Sequence, residues 1–101
     1  MKTHPRNRLG RALQLARSAK VVSQEDFVEV SGRTYISQLE RGERHATLNK
    51  VDELASILGM HPATLVALSY LGDRIDAASI GALLDQIRLE LTAVIATCNG
   101  G

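Results

Sequence analysis

Cysteine is almost missing from this sequence of 101 residues, and histidine is scattered, which excludes several kinds of site. The single cysteine, Cys98, excludes a disulfide within the chain and is typical of a reducing cytoplasm. His4, His45 and His61 share no helical spacing, so we expect no metal site and no cofactor. The sequence also lacks a glycine-rich phosphate loop and a nucleophile elbow, so we expect a protein that is not an enzyme.

Long apolar runs and aromatic residues are scarce as well. No run is long enough to cross a membrane, and residues 1–8 lack the apolar stretch of a signal peptide, so we expect a cytoplasmic protein. There is no Trp, and only one Phe and two Tyr, so aliphatic residues and alanine must fill the core, which suits helices. The length allows one small domain, or one domain with an added element.

Charge is divided unevenly along the chain, although the net charge is only +1. Residues 1–50 hold ten Lys and Arg against five Asp and Glu, whereas residues 51–101 hold two against six. This division predicts one surface that faces a polyanion and another surface with a different task.

The segment 33–42, with the sequence RTYISQLERG, is the most informative part of the basic half. Ile36 and Leu39 are three residues apart, so both can point from one face of a helix into a core, and Gly42 can end that helix. Four side chains on the other face can hydrogen-bond to base edges in a DNA major groove: Arg33, Thr34, Ser37 and Gln38. The alternative is an ordinary amphipathic surface helix.

The neighbouring segments favour the DNA-binding interpretation. SQEDF at 23–27 precedes this helix, and TLNKVDELASILGMHP at 47–62 follows it. As a set, the segments resemble the helix-turn-helix family of phage Cro proteins and repressors, also called the xenobiotic-response-element family, from about residue 9 to residue 71. The resemblance implies an all-α, lambda-repressor-like domain of five helices over residues 1–72. It also implies sequence-specific binding of double-stranded DNA, by a repressor.

The resemblance also assigns contacts with the DNA backbone. It implies that Gln24, in the first turn of the second helix, contacts a phosphate, as do Arg41 and Arg44 in the loop after the third helix. It implies a pair between Arg17 and Glu40 that ties the first helix to the third and turns Arg17 towards the DNA backbone. The alternative for this pair is two unrelated surface charges.

The sequence departs from the family pattern between the second and third helices. Gln24 and Ile36 are twelve positions apart, which is two fewer than in the family, so the second helix or the turn must be short. Ser23 and Asp26 form a capping-box-like start for the second helix, and Ser31 is the best N-cap for the third. We expect the first helix to begin at residues 4–6.

A second apolar pattern occupies residues 76–98 within a C-terminal region of residues 73–101. Six residues follow a 4-3-4-3-4 spacing typical of a heptad seam: Ile80, Leu84, Ile87, Leu91, Val94 and Cys98. Such a stripe needs a partner, which is either the body of its own chain or a second copy. We expect a dimerisation helix, and hence a homodimeric regulator on a palindromic operator. The alternative is a protein-interaction module, such as the antitoxin of a toxin–antitoxin pair, with autoregulatory DNA binding.

Overall fold

A computed structural model describes residues 8–27, 32–73 and 75–99. Within these residues all regular structure is helical, and the predicted all-α fold is confirmed. Five helical segments form the body and a sixth follows them: α1 (Leu9–Ala19), a 3₁₀ helix (Gln24–Phe27), α2 (Arg33–Glu40), α3 (Leu48–Leu58), α4 (Pro62–Ser69) and α5 (Ala77–Cys98). The predicted start of the first helix at residues 4–6 lies outside the described residues.

Local chemistry explains where the later helices begin and end. The side chain of Thr47 accepts a hydrogen bond from the first turn of α3, and Gly59 ends that helix in the left-handed conformation, at φ 69°. His61 caps α4 through Nδ1, and Pro62 occupies the first helical position, where its missing N–H costs nothing. The carboxylate of Asp76 caps α5. These ends were predictable because each depends on residues within one turn.

The core lies between α1, the 3₁₀ helix, α2, α3 and α4. Its buried apolar side chains come from all five segments: Ala12, Leu13, Ala16, Phe27, Ile36, Leu39, Val51, Leu54, Ala55, Leu58 and Leu65. Ser69 is the one polar residue that is buried among the described residues, and its hydroxyl donates to the carbonyl of Val66. The carbonyl of Ser69 accepts from the N–H of Arg8, which joins the end of α4 to the start of α1.

The structure describes only the start of the second helical segment, because residues 28–31 lie outside the described residues. The described part is the four-residue 3₁₀ helix, held at its start by hydrogen bonds from the backbone N–H and hydroxyl of Ser23 to Asp26. Gly32, at φ 49°, directly precedes α2 and occupies its N-cap position without a side-chain cap. The predicted cap, Ser31, lies outside the described residues.

Helix α5 extends from the body over 22 residues, and none of its side chains is buried. Near its start, Leu83 and Ile87 border an apolar groove of about 430 Å³ between α3 and α4. Beyond this groove the apolar stripe of α5 is exposed, with Leu84, Leu91 and Val94 each more than half accessible. No single helix among the described residues is long and apolar enough to cross a membrane. Taken together, α3 and α4 have the necessary length and apolarity, but they are bent by 106° relative to each other.

Candidate nucleic-acid interface

Helix α2 is amphipathic, and its apolar face is anchored in the core. Ile36 and Leu39 are 0% and 1% exposed. On the opposite face Arg33 and Thr34 are exposed and Ser37 and Gln38 are half-buried. The core thus anchors one face of the helix and leaves polar side chains on the other face, an arrangement that suits the reading of base edges.

A close approach between α1 and the end of α2 sets the depth of this helix. A Cβ atom at Gly10 would overlap the carbonyl oxygen of Leu39 and lie 3.0 Å from that of Glu40. Only a glycine lets the two backbones pass at this distance. Gly10 was not among the residues predicted from the sequence. A glycine inside a helical pattern could have indicated a close contact between backbones.

Arg17 and Glu40 join α1 to α2 by a bidentate ion pair. Arg17 Nε lies 2.7 Å from Glu40 Oε2, and Nη2 lies 3.1 Å from Oε1. Their side chains are 19% and 4% exposed, so solvent screens the pair weakly. The hydrogen bond to Glu40 raises the pKa of Arg17 above its ordinary value. Nη1 of Arg17 also donates to the carbonyl of Val22, at 3.4 Å.

The same carboxylate also holds Gln24, which the sequence analysis assigned to a phosphate. Gln24 Nε2 donates to Glu40 Oε1 at 2.8 Å, and Ser37 Oγ donates to Gln24 Oε1 at 3.2 Å. Four side chains thus connect α1, the 3₁₀ helix and α2. Gln24 and Ser37 are thus hydrogen-bonded to each other. This hydrogen bond was not predicted from the sequence, because the two residues are 13 positions apart.

Arg33 and Thr34 lie at the exposed N-terminal end of α2. Arg33 Nη1 is 3.1 Å from Glu25 Oε2 on the 3₁₀ helix, and both side chains are about two-thirds exposed. An ion pair this exposed contributes little to stability, so Arg33 can exchange Glu25 for another partner at small cost.

A second cluster lies beside the C-terminal half of α2. Arg44 Nε donates to Gln38 Oε1 at 2.9 Å, and its guanidinium carbon lies 5.5 Å from the ring centre of Tyr35. Lys50 Nζ lies 5.6 Å from the same ring centre. Tyr35 is half-buried and thus serves as a platform for two cations, by cation–π attraction. Gln38 and Arg44 were both predicted from the sequence as DNA contacts. Neither the hydrogen bond between them nor the part played by Tyr35 was predicted.

The loop after α2 presents its arginines at the surface. Gly42, at φ 79°, turns the chain out of α2. Arg41 donates to Glu43 at 3.0 and 3.1 Å, and this exposed pair lowers the pKa of Glu43. Arg41 and Arg44 therefore add exposed arginines beside the polar face of α2.

The heptad residues of α5 form an exposed apolar stripe. Their exposed fractions lie between 36% and 58% for five of the six positions: Ile80, Leu84, Ile87, Leu91 and Val94. Cys98, the sixth, is exposed as well. Ile95, at 56% exposure, flanks this stripe, whereas Leu89, at 61% exposure, lies on the opposite side of the helix.

Metal ligands do not converge in the part of the chain that the structure describes. Among those residues, no three His, Cys, Asp or Glu side chains are placed so that they could hold a metal ion. Separately, α2 and the loop that follows it present hydrogen-bonding side chains and exposed arginines.

Comparison with known proteins identifies the family of this domain. A family model described as helix-turn-helix matches residues 13–65, which run from α1 to α4 and include the whole interface. Control protein C.BamHI of Bacillus amyloliquefaciens is 37% identical over 41 residues, which are 41% of this chain. The chain spans about half the length of this curated relative, 51%. The comparison with solved structures found no match. The match over more than half of the chain shows that it belongs to the helix-turn-helix family of the xenobiotic-response-element type, a family of DNA-binding transcription regulators.

Proposed function

We propose that this protein is a sequence-specific transcription regulator, and a repressor, that binds a palindromic operator as a homodimer in the cytoplasm. The observation that carries the proposal is the open polar face of α2, whose other face is fixed by Ile36 and Leu39 in the core. In this arrangement Arg33, Thr34, Ser37 and Gln38 contact base edges in the major groove. Repression is inferred from the resemblance to phage repressors.

Contacts with the phosphate backbone come from the residues around α2. Arg41 is exposed and can exchange Glu43 for a phosphate oxygen. Arg44 is exposed as well and can bind a phosphate oxygen through its Nη groups while Nε stays on Gln38. Gln24 has a second amide hydrogen besides the one given to Glu40, and this hydrogen can bind a phosphate without breaking the network. Arg17 donates hydrogen bonds to Glu40 and to the carbonyl of Val22 through Nε, Nη1 and Nη2. Its main role is therefore to hold α1 against the C-terminal end of α2.

The dimer is proposed from the length and exposure of α5. A single α2 covers only a few base pairs, which is too few for tight specific binding, so a second copy must supply a second reader. At about 1.5 Å per residue, α5 is about 33 Å long, and its apolar stripe is too large to leave in water. Residues 1–72 then form the DNA-binding domain and residues 73–101 the dimerisation region.

Selection from a random pool of duplexes with the purified full chain tests this function. We expect a palindrome with half-sites about 34 Å apart. Replacement of Arg33 or Gln38 by Ala should cost roughly 1–3 kcal/mol on that palindrome and relax one position of each half-site. Gln14→Ala is the matched control, because Gln14 is an exposed glutamine on α1, away from α2. The proposal would be contradicted if no sequence were enriched in the selected pool. It would also be contradicted if the Arg33 and Gln38 variants selected the same consensus as the wild type.

A further inference from the structure

The orientation of the Gln38 amide is determined by Arg44. Arginine carries only hydrogen-bond donors, so the amide atom that faces Arg44 Nε at 2.9 Å must be the oxygen, Oε1. The amino group, Nε2, is therefore the part of Gln38 that does not face Arg44. Tyr35 holds the guanidinium from a second side, with 5.5 Å between the ring centre and the guanidinium carbon.

We infer that Arg44 is a positioning residue that selects the base read by Gln38, and that this base is guanine. The inference rests on the proposed DNA-binding function and on the base contact assigned there to Gln38. It adds an effect on sequence preference to the phosphate contact that the proposed function gives to Arg44.

The hydrogen-bonding patterns of the bases support guanine over adenine. A glutamine that reads adenine uses both ends of its amide, since Oε1 accepts from N6 and Nε2 donates to N7. In this structure Oε1 already accepts from a guanidinium, which makes it a poorer acceptor for the adenine amino group. Guanine presents only acceptors in the major groove, O6 and N7, and these suit the free donors of Nε2.

Local charge acts in the same direction. Arg44 Nε lies 2.9 Å from Gln38 Oε1, so a positive charge lies directly beside the amide. The charge of Lys50, near the same Tyr35 ring, is instead paired with Glu53 at 2.8 Å. Positive charge attracts the acceptor atoms of guanine and repels the amino hydrogens of adenine. The neighbouring Arg41 makes no such contact; its donors go to Glu43. Arg41 is therefore a matched control for the loss of one arginine from the same loop.

The experiment compares the affinity of the full chain for operator duplexes that differ at one base pair. The base pair to vary is the operator position at which the pool selected with Gln38→Ala shows no base preference. For the wild type we expect guanine to bind more tightly than adenine, by roughly five- to one-hundred-fold. Arg44→Ala should reduce this ratio at least fivefold, because the amide can then rotate and read adenine. Arg41→Ala should weaken both duplexes equally and leave the ratio unchanged.

A double substitution separates positioning from a direct contact by Arg44. In a Gln38→Ala background, Arg44→Ala should leave the guanine-to-adenine ratio unchanged, since no amide remains to be oriented. The ratio is independent of the fraction of folded protein, so a partly unfolded variant does not obscure the result. If Arg44→Ala changes the ratio equally in both backgrounds, or in neither, the positioning role is wrong. If Gln38→Ala changes no base preference at all, the base contact in the proposed function has failed instead.

Discussion

Glu40 is the residue at which three elements of the domain meet. Its carboxylate accepts from Arg17 of α1 and from Gln24 of the 3₁₀ helix, and it belongs to the last turn of α2. At 4% exposure the charge is stable only because these partners replace the water that it has lost. The orientation of α2 therefore depends on one buried acidic side chain.

A double-mutant cycle on Arg17 and Glu40 tests this dependence. Arg17→Ala and Glu40→Gln should each lower the free energy of unfolding by roughly 1.5–3 kcal/mol, because each leaves hydrogen bonds to a charged group unmade. The double variant should lose less than the sum of the two. Urea unfolding at one fixed protein concentration gives the values. The exposed pair of Arg41 and Glu43 is the control, for which we expect much weaker coupling. Additive losses at the first pair would refute the internal tie.

Gly10→Ala should destabilise the protein, although alanine is the better helix former. The new methyl group would overlap the carbonyl of Leu39, and the backbones of α1 and α2 would have to separate. We expect a loss of about 1–3 kcal/mol in the free energy of unfolding, as for other overpacked sites. Gly81→Ala is the control, because a Cβ there meets nothing within 4 Å. This second change should stabilise α5 by up to about 1 kcal/mol. A stabilising effect of both changes would show that α1 and α2 are not in close contact.

Among the elements, α5 depends most on its own sequence, since the body buries none of its side chains. Its start is fixed by Asp76, whose carboxylate accepts from the backbone N–H of Ser79 at 2.8 Å. This hydrogen bond lowers the pKa of Asp76 below its ordinary value of 3.8. A cap that needs a charged carboxylate makes the first turn of the helix sensitive to acid.

The first turn of α5 should loosen as the pH falls below about 4. The folded-state pKa of Asp76 is depressed, so its stabilising contribution is present above the ordinary pKa and is lost as the pH falls through the lower, folded value. Amide hydrogen exchange of Ser79, measured against pH, reports the change. Asp76→Asn keeps a capping oxygen without the titration, so its profile should lack this step. The same step in both proteins would assign the effect to another group.

On the scale of the whole molecule, the shape follows from the exposed α5. The chain extends over 48 Å in its longest dimension and 28 Å in its shortest. The arginines around α2 and the apolar stripe along α5 form the two surfaces that we propose for binding. This division agrees with the basic first half and acidic second half of the sequence.

The pair of changes Leu84→Asp and Leu91→Asp should convert the protein into a monomer. Both leucines are more than half exposed in the single chain, and two carboxylates would have to be buried if a second copy covered them. Light scattering should give the mass of one chain, and binding to the palindrome should be lost while weak binding to a half-site remains.

The control for this experiment places two charges on the same helix away from the stripe. Gln86→Asp with Ala93→Asp has the same seven-residue spacing, and both positions are exposed. This variant should remain a dimer and keep its affinity for the palindrome. If the leucine variant also stays dimeric, the stripe is not the interface. If the wild type is a monomer that another protein converts into a complex through α5, the antitoxin-like alternative is favoured.

The sequence by itself determined two kinds of feature: the apolar faces that repeat along a helix, and the helix caps that form within one turn. The spacing of Ile36 and Leu39 placed one face of α2 in the core, and the caps of α3, α4 and α5 depend on side chains within one turn. The heptad spacing of α5 likewise predicted one apolar stripe. These features follow from helix geometry alone, which is the same in every protein.

Only the tertiary structure decided the contacts between elements that are remote along the chain. The overlap that makes Gly10 necessary involves a carbonyl 29 positions later, and Gln24 meets Glu40 across 16 positions. Arg44 meets Gln38 only because the loop after α2 turns back at Gly42 and lies against Tyr35. Such distances depend on how the core packs, so side chains that the sequence assigned to separate tasks prove to be partners.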